Sequence, residues 1–395
     1  MDCEFDEIFV GARGGSIGVL SSSLPDEASK EFANHLDLPS QPPQGYTLGS
    51  YVSAVPVADQ YLIARTSIDT AAQRTGMVFS HGLIVKKTDL IVFGNIAGVF
   101  SSLLKERPTD LKAERRLINA SCSPDLGSPP GPVCDLLAQK KAPVLVTTDA
   151  ERFEGLVSSI WAVLRPSMRP DFKFGVSFDP VESRHQALNI ALVPSIVLQR
   201  WPEANRIDLL LDEVDAKTAA GRYLVDQSNV EFNGFVDRLD VEKLSLGDLD
   251  FIGRSYELTL GDSPKFSSVL AALRLVAVVQ PHPKKAESVK SGLLDLVLSH
   301  PDVFRHENLM ALRNLDWGCL EFSAVVEKAL SKAFETHFKE VDDVAKNIEI
   351  VRSIFTVNLS MPNWRIAGEA ALRTLGDQAA YGVSSAAWSL LVQGS

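Results

Sequence analysis

The chain has 395 residues, with 50 Asp+Glu against 39 Lys+Arg and a formal charge of −11. Hydrophobic residues at 45% and charged residues at 23% are ordinary for a globular protein, and 25 Gly with 21 Pro exclude collagen-like and wholly disordered chains. The length suits two or three domains, the acidic balance argues against a specific nucleic-acid partner, and no apolar run reaches the ~18 residues of a membrane-spanning helix.

The start, MDCEFDEIFV, is acidic where a secretory signal is basic. The four cysteines, Cys3, Cys122, Cys134 and Cys319, contain no Cys-x-x-Cys pair. Both features point to a cytoplasmic protein with free thiols. FDEIFVGARGGSIGVLSSS reads as a hairpin turning at Arg13-Gly14-Gly15. DEASKEFANHL reads as a helix opened by Ser23-Leu24-Pro25. YTLGSYVSAVPV, YLIARTSI, MVFSHGLIV and DLIVFG read as strands. In the third of these, Met77, Phe79, His81, Leu83 and Val85 share one face, and Val78, Ser80, Gly82 and Ile84 the other.

Residues 121–134 hold Pro124, Pro129, Pro130 and Pro132 and read as a linker. Beyond it, PVLVT leads into Thr148-Asp149-Ala150-Glu151, a Ser/Thr-x-x-Glu start signal. The next helix carries Phe153, Leu156, Val157, Ile160, Trp161 and Leu164 on one stripe and ends before Pro166. A strand with Phe172, Phe174, Val176 and Phe178 on one face comes next, then strands at ALNIALVP and RIDLLLD and a helix near DAKTAAGRYLV. From about Asp262 the pattern is helical. Ser263-Pro264 opens a helix bearing Phe266, Val269, Leu270, Leu273 and Val276. Further stripes run Val289/Leu293/Leu296/Val297, Val326/Leu330/Ala333/Phe334/Phe338 and Val344/Ile348/Val351/Phe355, with short helices after Pro362 and Gly382.

The expected class is therefore α+β and multi-domain. Its parts are a β-rich α+β domain over 1–120, the Pro-rich linker over 121–134, an α/β middle domain over 135–261, and an all-helical bundle or short solenoid over 262–395.

No phosphate loop, dinucleotide fingerprint, His-Glu-x-x-His or calcium loop occurs, and the seven histidines lack metal-ligand spacing, so neither cofactor nor metal is expected. Gly14-Gly15-Ser16-Ile17-Gly18 fits a nucleophile-elbow pattern, for which His81 and Asp69 would complete a triad. The residues after Ser16 read as a strand where the elbow needs a helix, so a Gly-rich turn is the simpler reading. His81, on an apolar strand face, fits a packed and hydrogen-bonded core residue. Arg13, Arg65 and Arg74 with His81 form a candidate anion or partner site, and Arg165 and Arg169 in LRPSMRPDF a second positive patch. Against these stand a structural pairing of Arg65 and Arg74 with Asp69 or Asp59, and a rigid corner at Arg165–Arg169.

Three features carry a resemblance. They are Gly14/Gly15 with Ser21–Ser23, then Tyr61/Arg65, then Arg74/Gly76/Val78/His81. In this order they resemble the N-terminal domain of the GTPase-associated proteins of bacterial conflict systems, over residues ~5–95. SSIWAVLRPSMRPDFKFGVSF is similar to the stretch after that domain in the family. The family's hairpin often carries a His where this chain has Gly15-Ser16, which speaks against a shared catalytic role there. The resemblance implies a non-catalytic cytosolic adaptor or scaffold that binds a GTPase-like NTPase or an effector in bacterial defence. Two alternatives from the residues are a serine hydrolase or transferase using Ser16 and His81, and an anion-sensing module lined by Arg65, Arg74 and His81.

Overall fold

The computed structural model describes residues 2–13, 15–44, 46, 49–74, 76–120, 127–139, 144–181, 187–209, 215–226, 229–261 and 263–300, with the short pieces 302–303, 308, 311 and 315–320. The expected stripes from Val326 to Phe355 and the helices after Pro362 and Gly382 lie outside the described residues.

The strands are β1 (Asp2–Arg13), β2 (Ser16–Ser22), β3 (Tyr51–Val57), β4 (Gln60–Ile68), β5 (Val78–Lys86), β6 (Arg116–Asn119), β7 (Val144–Thr147), β8 (Phe174–Val176), β9 (Ile190–Leu192) and β10 (Arg206–Asp208). They form one sheet in the order β10-β7-β9-β8-β3-β4-β5-β1-β2, with β6 beside β1. The stretch from β3 to β2 is antiparallel. β8, β9, β7 and β10 run parallel to one another. The seam is antiparallel, with Ala54 of β3 opposite Phe174 of β8. The sheet thus crosses the Pro-rich boundary seen in the sequence. Chain contacts group residues 1–229 with 243–250 as one unit and 230–242 with 251–395 as another.

In the first unit, the helices are α1 (Asp26–Ala33), α2 (Lys87–Leu90), α3 (Ile96–Ser102), α4 (Gly131–Gln139), α5 (Ala150–Val163) and α6 (Ala219–Val225). One face of the antiparallel strands buries Ile8, Val10, Leu62, Ala64 and Ile84 together with Phe32 and Leu36 at and beyond the end of α1. β5 is buried on both faces, so its alternation sorts side chains between two covers rather than between core and water. The β1–β2 hairpin turns where expected, with Arg13 opposite Ser16 and Gly15 at φ 88°, a conformation that glycine adopts without steric cost.

Several local expectations shift. DLIVFG is not a strand: its first residues close α2 and a turn comes after, because Leu90 and Phe93, three apart, bury together while Ile91 and Val92 face solvent. The Pro-rich stretch is helical from Gly131, since prolines in a first turn forfeit no intrahelical hydrogen bond. In α5 the cap is Asp149 rather than Thr148; its carboxylate accepts from the Arg152 N–H. The expected stripe on α5 is buried throughout, from Phe153 to Leu164. α4 and α6 meet closely where Asp135 accepts from the Lys217 and Thr218 N–H groups and the Thr218 hydroxyl. A Cβ on Gly221 would lie 2.0 Å from the Asp135 Oδ1, so only glycine fits there.

In the second unit, α7 (Val230–Arg238), α9 (Phe266–Val279) and α10 (Glu287–Leu298) are helical, as are the later residues of α8 (Leu246–Leu258). α9 starts at Phe266, two residues after Pro264, and buries the expected Phe266, Val269, Leu270, Leu273 and Val276. On α10, Val289, Leu293 and Val297 are buried and Leu296 is exposed. The buried Lys290 ammonium donates to the carbonyls of His282 and Cys319, both at 2.8 Å. With a ten-stranded mixed sheet and helices in the first unit, and helices among the described residues of the second, the chain is α+β and multi-domain, as its sequence indicates.

Candidate functional site

Sheet register decides which polar residues meet. Arg65 of β4 lies opposite His81 of β5, and His81 lies opposite Phe9 of β1. Glu7, two residues from Phe9, shares that face by strand alternation. Glu7 and His81 are each fully buried.

His81 Nε2 lies 3.0 Å from Glu7 Oε1, and His81 Nδ1 accepts the Leu104 N–H at 2.9 Å. Because Nδ1 accepts, Nε2 carries the hydrogen and donates to Glu7, which fixes the tautomer. Glu7 also accepts from Arg116 Nε at 2.9 Å and from the Glu114 N–H at 2.9 Å. Burial pushes a carboxyl pKa upward. Here the hydrogen bonds from His81 and Glu114, with the Arg116 charge, outweigh burial and hold Glu7 below the usual carboxylate range. Phe9 stacks on the His81 ring at 4.5 Å between centroids.

Beside this cluster, Arg65 grips Glu154 of α5 with two parallel bonds of 2.6 and 2.8 Å. Its Nη2 also donates to the Phe100 carbonyl and its Nη1 to Ser50 Oγ. Asp69, just past β4, accepts from Arg107 Nη1 at 3.0 Å and from the Ala12 and Ala71 N–H groups. Each ionisable group of this face is therefore engaged within the chain. Both nitrogens of His81 are used, so it takes no proton from an outside molecule without first losing a partner.

The other sequence candidates separate. Ser16 is exposed and donates to the Arg13 carbonyl. Strand β1 stands between Ser16 and His81, and their register partners on it, Arg13 and Phe9, are four residues apart. Strand spacing and rise then put about 17 Å between the two, well outside nucleophile–base reach. Asp69 holds β1 and Arg107 rather than His81. Arg65 and Asp69 do not pair with each other; each has a different partner, Glu154 and Arg107. Arg13 donates to the Val19 carbonyl from an exposed position, and Arg74 is exposed in the turn before β5. Arg165 sits over the Tyr223 ring at 5.4 Å. Arg169 donates to the Phe93 carbonyl and lies 6.0 Å from the centre of the Trp161 ring; burial lowers its pKa. These two hold the corner between α5 and β8.

Sequence reasoning missed Glu7, Arg107, Arg116 and Glu154. Glu7 had a signal available, since it stands in register between Phe5 and Phe9 just as His81 stands between Phe79 and Leu83. The other three come from distant segments that strand pattern alone does not join. Among the described residues, no group of three or more His, Cys, Asp or Glu is placed to hold a metal ion, and no helix is long and apolar enough to cross a membrane. Cys3 and Cys134 are buried, which pushes their thiols up to about 11 and about 12, and burial raises Cys319 as well.

Comparison with curated proteins and with solved structures returns no match. Residues 4–103, which carry Glu7, Arg65, Asp69 and His81 but neither Arg107 nor Arg116, match the family model of the GTPase-associated protein 1 N-terminal domain, type 1.

Proposed function

We propose that the chain is a non-catalytic adaptor that binds a GTPase-like partner in the cytoplasm, within a bacterial defence system. The match of residues 4–103 to a GTPase-associated domain carries this reading. The site geometry supports it from the chemical side. Glu7, His81, Arg65 and Asp69 are committed to partners within the chain, and Ser16 lies far from any base among them. The same commitments weigh against the anion-sensing alternative, because the guanidinium of Arg65 already holds a carboxylate bidentately.

The test is direct. The purified chain is mixed with the product of a neighbouring GTPase gene, loaded in turn with GDP and with a non-hydrolysable GTP analogue, and resolved by size exclusion with light scattering. A complex in at least one nucleotide state is expected. Separate elution in both states overturns the reading. A fluorophosphonate probe that labels the wild type and not Ser16→Ala would overturn its non-catalytic part.

A further inference from the structure

Residues Leu104–Arg115, between α3 and β6, contain no helix or strand, and none of them is buried. The buried Leu103 and Ile118 flank the segment as apolar anchors. What holds it to the sheet is polar. The Leu104 N–H donates to His81, Arg107 to Asp69 and the Ala12 carbonyl, and the Ala113 N–H to Ser21 Oγ. The Glu114 N–H donates to Glu7, and Arg115 to Asp6 and Glu4.

In all of these bonds the segment donates and the sheet accepts. The sheet side is rich in carboxylates: Glu4, Asp6, Glu7 and Asp69. The segment's apolar residues Leu104, Pro108, Leu111 and Ala113 are only partly buried, so it loses less hydrophobic free energy on leaving than β4 and β5, which are buried along most of their length.

The geometry points to residues 104–115 being a releasable latch, held by charge-assisted hydrogen bonds and able to lift while the sheet stays folded. Lifting it uncovers Glu7, His81 and Asp69 together and leaves an acidic, acceptor-lined face. This inference stands on the geometry alone and is independent of the GTPase reading.

Hydrogen exchange of the full chain, read at single-amide resolution by mass spectrometry with electron-transfer fragmentation, tests it. Expected in the wild type is exchange of the Leu104, Ala113 and Glu114 amides at least about tenfold faster than the paired amides of β4 and β5. Arg107→Ala should speed those three amides by about tenfold or more, the scale of a lost hydrogen bond to a charged group, and leave β4 and β5 unchanged. The Arg107 side chain is 22% exposed and its bonds to Asp69 and Ala12 are partly buried, so the unchanged exchange of β4 and β5 serves as the control for lost packing. Asp69→Asn provides a second route to the same release, and added salt should act in the same direction. The proposal is overturned if the latch and β5 amides exchange at one common rate. It is also overturned if Arg107→Ala accelerates both sets equally or leaves the latch amides unchanged.

Discussion

The two ends of the sheet solve burial differently. In the parallel part, β7, β8 and β9 are three or four residues long and bury Val144, Leu145, Val146, Phe174, Val176, Ile190, Ala191 and Leu192, with no charged residue among them. In the antiparallel part, long central strands carry Glu7, Arg65 and His81 inside the core. Apolar burial is non-directional, so the parallel part is defined by volume. Buried charges need particular partners at particular distances, so the antiparallel part is defined by geometry. The contrast also explains why the neighbouring segments 104–116 and α5 are tied to the antiparallel half: they supply the missing partners.

Removing one buried partner should break the contrast most severely. Glu7→Ala leaves the buried His81 Nε2–H and the Glu114 N–H without their acceptor, and a loss of about 3 kcal/mol is expected, the cost of an unsatisfied buried donor. Urea unfolding measures it. A cost below that of an ordinary apolar truncation would mean the carboxylate is not organising this core.

Conservative changes sharpen the same point. Arg65→Lys keeps the charge but forfeits the bidentate grip on Glu154 and the bond to Phe100, so about 2 kcal/mol should be lost. Ile190→Val, a change of one methylene in the parallel part, should cost about 0.5–1.5 kcal/mol. If the order of the two is reversed, geometry and volume do not divide the sheet as described.

The acid limb of stability should report Glu7. Its pKa is lower folded than unfolded, so its stabilising contribution is complete above the unfolded value of about 4.3 and disappears as pH falls through the folded one. Stability of the wild type should therefore fall more steeply below about pH 4.3 than that of Glu7→Gln. Parallel slopes in urea titrations at stepped pH would count against it.

An effect as small as that of Ile190→Val is expected at the α5 cap, where Asp149→Ala should cost about 1 kcal/mol. It lies outside the polar cluster and should add to Glu7→Ala without coupling. Native iodoacetamide labelling at pH 8 should leave Cys3, Cys134 and Cys319 unmodified until the chain unfolds, because burial disfavours their thiolates.

Much of the local structure was legible in the residues. The β1–β2 hairpin, the strand at His81, the stripe on α5 and the start of α9 within two residues follow from periodicity and punctuation, which act over a few residues. DLIVFG misled because a short apolar run suits a strand and a buried turn equally. The grouping of the Arg65 and His81 strands was also within reach, but the partners of those residues were not. Glu154 lies 89 residues from Arg65, and Arg116 lies 109 residues from Glu7.

By itself, the sequence determined the α+β class, the faces of β5 and α5, and a histidine placed among apolar neighbours. Those properties depend on side-chain periodicity within single elements. Only the tertiary structure decided that one sheet continues through the Pro-rich boundary, that β1 separates Ser16 from His81, and that Glu7 and His81 lie under a segment held by donated hydrogen bonds. Sheet order and register set those distances, and both arise from contacts between segments far apart in the chain.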